Sequence, residues 1–122
     1  MTQIDRKAFI REYKGTPPPA GVFRIRNTAT GKSLVASSAN LPGTLNRHRF
    51  QLERGSHPSW DLQADWNALG PDAFQFEVLD QLKPSDKPDH DPAEDLRVLK
   101  DLWLEKLRAS GEYLYREAGR GS

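Results

Sequence analysis

The sequence predicts an α/β fold: a small three-stranded sheet with flanking helices, in the order ββααβα, preceded by an N-terminal helix. Three observations predict it. Two short runs of strand-forming residues flank a Thr-Ala-Thr-Gly turn at residues 28–31. A third run, residues 74–79, alternates apolar and polar with period two. Three further stretches between and beyond these runs carry apolar residues at helical spacing, each bounded by caps or stops, and helices and strands so ordered pack in layers.

The elements follow in chain order. Residues 2–14 read as a helix, with Ile4, Phe9, Ile10 and Tyr13 on an apolar side. Three consecutive prolines, Pro17 to Pro19, end it. Val22, Phe23 and Ile25 mark the first strand, Leu34 and Val35 the second, and Gly31 completes the turn between them. Asn40 caps the next helix, Pro42 sits in its first turn, and Leu41, Leu45 and Leu52 form its stripe before Arg54-Gly55. Ser59 caps a helix with Leu62, Trp66 and Leu69 on one face, stopped by Gly70-Pro71. His57-Pro58 is read as the start of that helix. After the third strand, residues 80–92 are rich in proline and aspartate and read as a loop. A last helix spans 92–109 with Gly111 as its stop, and the following residues carry no signal beyond Tyr113 and Tyr115. The expected units are 1–20 (helix and proline segment), 21–110 (the α/β domain) and 111–122 (a tail).

At 122 residues the chain is expected to form one domain around a single core. There is no cysteine, which excludes disulfides and thiolate metal sites. No apolar run is long enough to span a bilayer and no secretory h-region is apparent, so a cytoplasmic protein without membrane contact is expected. The net charge of +1 conceals an asymmetry: residues 1–60 hold ten Lys/Arg and three Asp/Glu, residues 61–122 eight and fourteen. The first half therefore carries +7 and the second −6. Arg24, Arg26, Lys32, Arg47, Arg49 and Arg54 cluster around the hairpin and first core helix. Converging, they would make a field suited to phosphate; pointing apart, they are ordinary solvated faces.

Residues 21–48 resemble the GIY-YIG nuclease family. Gly21-Val22-Phe23 stands where that family has Gly-Ile-Tyr, and Leu34-Val35-Ala36 where it has Tyr-Ile-Gly. The Gly-Lys before the second strand, the Ser-Ser after it, Asn40-Leu41 and His48 fall at the family's offsets, and the resemblance runs over roughly residues 21–107. It implies the same ββααβα core and hydrolysis of a phosphodiester assisted by Mg²⁺ or Mn²⁺.

Carried over position by position, the resemblance implies a site that is largely substituted. Phe23 replaces the first tyrosine and has no hydroxyl to move a proton. Leu34 replaces the second, and Thr44 stands at the helix arginine, with Arg47 and Arg49 as alternative cations. Trp103-Leu104 matches the aromatic-aliphatic pair of the last helix, which puts Lys100 at the metal glutamate. Helical rotation aims Lys100 toward the sheet and Asp101 away from it. His48 keeps its family position, but it also borders the leucine stripe, so both a packed and a catalytic histidine fit the sequence. Neighbouring arginines would hold its ring neutral and base-competent.

Rival motifs fail on spacing. Gly31-Lys32-Ser33 lacks the first glycine of a phosphate loop, because Arg26 stands there. Asp86, Asp89, His90 and Asp91 lack calcium-loop spacing. Three readings remain. The first is a nuclease-like domain that binds nucleic acid, DNA foremost, through Arg24, Arg26, Lys32, Arg47, Arg49 and Lys100, with cleavage weak or lost and no metal ligand assigned. The second is an active metal-dependent endonuclease rebuilt around His48, Arg47 or Arg49, with Glu53 or Glu77 supplying a carboxylate. The third is a protein-interaction module using the N-terminal helix and exposed tryptophans such as Trp60.

Overall fold

The computed structural model describes residues 18–83 and 91–115. The predicted N-terminal helix lies outside the described residues, as do Asp86, Asp89 and His90 of the acidic loop. The elements are β1 (Gly21–Asn27), β2 (Ser33–Ser38), α1 (Leu41–Arg54), α2 (Trp60–Leu69), a 3₁₀ turn (Pro71–Ala73), β3 (Phe74–Gln81) and α3 (Ala93–Ala109). This is the order read from the sequence. The sheet order is β2-β1-β3, and β1 is antiparallel to both neighbours.

The period of two along β1 divides the molecule into layers. Phe23 and Ile25 face one way and pack with Leu34, Leu41, Leu52, Leu62, Trp66 and Phe74, which puts α1 and α2 on that side. Val22 faces the other way and packs with Val35, Leu99, Trp103 and Leu107, which puts α3 on the opposite side. Phe23 and Ile25 are wholly buried, as expected for the central strand between two helical layers.

Both predicted caps form. The Asn40 side chain accepts from the Gly43 backbone N–H at 3.2 Å, and the Ser59 hydroxyl accepts from Leu62 N–H at 3.4 Å. Gly55 ends α1 with φ +75°, the left-handed conformation that L side chains avoid.

Three features go beyond the sequence reading. The register between β1 and β3 shifts at Val22/Phe23: Phe23 opposes Val78, Val22 opposes Asp80, and Leu79 is the extra residue. The shift places Leu79 with Val22 on the α3 side and leaves Val78 exposed. Gly21 answers a close approach at the same point, since a Cβ there would lie 2.0 Å from the Asp80 carbonyl oxygen. Finally, the chain beyond Gly111 joins the fold, at least to Tyr115. Ser33 bridges Leu114 in parallel, Ser33 N–H donates to Tyr113 O at 3.0 Å, and Tyr115 N–H donates to Ser33 O at 2.8 Å.

Asn27 ties the hairpin turn to this last segment. Its side-chain oxygen accepts from Ala29 N–H (2.9 Å) and Thr30 N–H (3.3 Å), and its amide donates to the Tyr115 hydroxyl at 3.0 Å. That hydroxyl donates to Asp65 on α2 at 2.6 Å. Burial and then the Asp65 bond push the Tyr115 pKa up, so the phenol stays protonated and available as that donor. Asn27→Ala is expected to cost about 2–3 kcal/mol, because three bonds are lost around a wholly buried side chain. Urea denaturation of Asn27→Ala beside Asn27→Asp tests this: the aspartate keeps the turn acceptor and is expected to lose less than the alanine.

Candidate functional site

On the α1/α2 side of the sheet, Phe23, His48 and His57 meet. The Phe23 ring is wholly buried, and its centroid lies 5.3 Å from that of His48 in an edge arrangement. His48 Nδ1 is 2.7 Å from His57 Nε2. The loop after α1 folds back because Gly55 turns it and Gln63 of α2 holds it. Gln63 Oε1 accepts from the His57 backbone N–H at 3.0 Å, and its amide donates to Leu52 O at 3.0 Å.

The hydrogen bonds assign the tautomers. Ser59 N–H donates to His57 Nδ1 at 2.9 Å, so that nitrogen carries a lone pair. The proton of the neutral His57 ring is then on Nε2, which donates to His48 Nδ1. His48 in turn carries its proton on Nε2. Burial, followed by the Arg47 charge, lowers the His48 pKa from 6.5 to about 4. Burial, followed by the neighbouring His48 and Arg47 charges, lowers His57 likewise to about 4. At neutral pH the pair is uncharged. His48 offers an Nε2–H donor, whereas the nitrogen with the lone pair is already engaged by His57. Chemically this suits a hydrogen bond to an anionic oxygen better than proton abstraction.

The sequence-predicted residues divide between the two layers. Phe23 and Leu34 are buried core residues. The Thr44 hydroxyl lies 2.6 Å from the Ser38 hydroxyl, tying the start of α1 to the end of β2. Arg47 is exposed on α1. The Arg49 guanidinium lies 4.2 Å from the Phe76 ring centroid. Arg24 is on the α3 side, where Nε donates to Glu77 at 2.6 Å and a terminal nitrogen donates to Glu112 at 2.9 Å. Its side chain is 14% exposed, so two carboxylates meet its charge inside the fold. By strand alternation Arg26 shares that side, and its Nε is buried with no hydrogen-bond partner among the described residues. The Lys32 ammonium lies 4.7 Å from the Tyr115 ring centroid.

Lys100 is half-buried on α3 and Asp101 is exposed, as helical rotation predicted. Because α3 lies across the sheet from α1, Lys100 and the histidine pair belong to different layers. Neither carboxylate offered for a rebuilt site joins the histidines: Glu53 is exposed on α1, and Glu77 is bound to Arg24 on the far side. The residues do not fit a divalent cation held in the family's manner. Lys100 puts an amine at the carboxylate position, and among the described residues no group of three or more His, Asp or Glu is placed to hold a metal. No helix among them is long and apolar enough to cross a membrane.

Sequence reasoning missed His57 as a partner of His48. The available signal was the Ser59 cap, which fixes where α2 begins and leaves only a short return from the end of α1. It also left out Phe50, which shares the outer face of α1 with Arg47 and Arg54.

A three-stranded antiparallel sheet with helices on both faces, and a hairpin leading directly into α1, defines a layered α/β domain. A point mutant of the catalytic domain of intron endonuclease I-TevI superposes with a TM-score of 0.64 at 25% identity, covering 83% of this chain and 95% of that one. The catalytic domain of homing endonuclease I-TevI gives 0.61 at 26% identity, covering 77% and 94%. In sequence, intron-associated endonuclease 1 of Enterobacteria phage T4 is 29% identical over 91 residues, which are 74% of this chain. The match spans 34% of the phage protein, about a third of its length. No family model matches the chain. By sequence and structure together, the chain is homologous to the I-TevI catalytic domain, which supports a place in the GIY-YIG endonuclease family.

Proposed function

We propose that this is a GIY-YIG domain that binds nucleic acid, DNA foremost, with phosphodiester cleavage weak or lost. The observation that carries the reading is Phe23. A wholly buried phenyl ring stands where the family places a hydroxyl, and it packs against the one retained family histidine. Leu34, Thr44 and Lys100 extend the same change to the other positions. Binding is supported by the cations on α1: Arg47, Arg49 and Arg54 are exposed on the helix that carries His48, whose Nε2–H is offered to an anion.

The second reading, a rebuilt endonuclease, is favoured by His48 keeping the family's histidine position; it requires the His57 bond to His48 Nδ1 to open before that ring can accept a proton.

A cleavage assay with Mg²⁺ and with Mn²⁺, beside an EDTA control, separates the two. We expect no cutting of single- or double-stranded DNA above the control. Fluorescence anisotropy on the same substrates is expected to show binding that weakens steeply with added salt, as phosphate contacts displace counterions. Metal-dependent cutting that disappears in His48→Ala would establish the rebuilt site instead. Absence of binding even at low salt, by protein shown to be folded, would refute both.

A further inference from the structure

The outer face of α1 carries an aromatic ring among cations. Arg47, Phe50 and Arg54 stand at i, i+3 and i+7, one exposed stripe opposite the buried Leu41 and Leu52. Phe50 is 55% exposed. The Arg54 guanidinium lies 5.2 Å from its ring centroid, so a cation backs the ring. Two acidic or neutral residues on this face, Glu53 and Asn46, do not cancel the two guanidinium charges. A second exposed ring, Trp60 at 66%, opens α2 in the same layer.

An exposed ring beside phosphate-seeking cations suits a polyanion that also offers flat faces. Bases in a duplex are stacked on one another and hide those faces, whereas unpaired bases present them. Resting on the nucleic-acid reading above, we infer that this stripe contacts an unpaired strand: Phe50 stacks on a base while Arg47 and Arg54 meet the flanking phosphates. The site is therefore selective for single-stranded or locally unpaired nucleic acid over continuous duplex.

The test is anisotropy with a fluorescein-labelled oligothymidine and with a labelled blunt duplex, for wild type, Phe50→Leu, Phe50→Trp and Arg54→Gln. The ring lies outside the core, so these variants are expected to fold, and circular dichroism checks that they do. Wild type is expected to favour the single strand. Phe50→Leu is expected to weaken single-strand binding about tenfold and duplex binding less than twofold, from the typical worth of one base stack. Phe50→Trp is expected to restore it, and Arg54→Gln to lower both affinity and salt dependence. Equal losses for both forms, or single-strand binding unchanged in Phe50→Leu, would overturn the inference while leaving nucleic-acid binding in place. Binding to neither form would overturn both, and would point to a protein partner for these rings.

Discussion

Acidification from neutral pH to about pH 4.5 is expected to cost this fold about 3–4 kcal/mol through the His48–His57 pair alone. Both rings have pKa values lowered from 6.5 to about 4, first by burial. An unfolded chain therefore binds protons at higher pH than the native one. The contribution is complete above about pH 6.5, declines as the pH falls, and is exhausted near pH 4. A shift of this size on one group corresponds to about 2 kcal/mol by about pH 4.5. His57, only 3% exposed, carries the larger share, and partly solvated His48 the smaller.

The geometry explains why protonation is resisted. A proton on His57 Nδ1 would face the Ser59 N–H, and a proton on His48 Nδ1 would face His57 Nε2–H. Each added proton therefore breaks a bond as well as charging a buried ring. Denaturant midpoints for wild type, His48→Gln and His57→Gln at both pH values isolate the effect from the carboxylates. The difference between the two pH values is expected to shrink by at least 2 kcal/mol in His57→Gln. The same pH dependence in wild type and both variants would show that the pair does not titrate as its environment dictates.

What was legible in the sequence was whatever local chemistry controls. Asn40, Ser59, Gly55 and Gly70 announce helix ends through backbone hydrogen bonds within a few residues, and the structure places the ends there. The three strands follow from their alternation and turn residues. Lys100 and Asp101 took the predicted directions because helical rotation is fixed by the backbone. What was not legible depends on partners far along the chain. Arg24 reads as a free cation until Glu77 and Glu112, 53 and 88 residues away, are seen to hold it. The segment from Glu112 to Tyr115 has no pattern of its own and is ordered by Ser33 and Asn27. His57 reads as the residue before a helix, and only the return of the loop onto α1 pairs it with His48. The candidate site was therefore half visible, one histidine and one arginine layer without the second imidazole or the aromatic stripe.

Gly21→Ala is expected to cost about 3 kcal/mol and lower the melting temperature by roughly 10–20 °C for a domain of this size. The glycine φ is not in the left-handed region, so strain in the residue itself is not the cause. The cause is contact. An added Cβ would stand 2.0 Å from the Asp80 carbonyl oxygen and 2.8 Å from the Gln81 Cα. Both are backbone atoms of the paired strand, and no rotamer can withdraw them. Relief requires β1 and β3 to separate beside the register shift, where the chain entering β1 is also held by Leu82 N–H donating to Ala20 O at 2.8 Å. Gly31→Ala supplies the contrast: its φ is +80° but nothing lies within 4 Å of the added carbon, so a loss of about 1 kcal/mol is expected. Thermal unfolding of the two variants side by side decides the matter, and a Gly21→Ala loss no larger than that of Gly31→Ala would mean the strands yield freely. The comparison also separates two parts of the family's motif. Strand packing demands the glycine at position 21, whereas Phe23 and Leu34 fill the core with wholly apolar side chains.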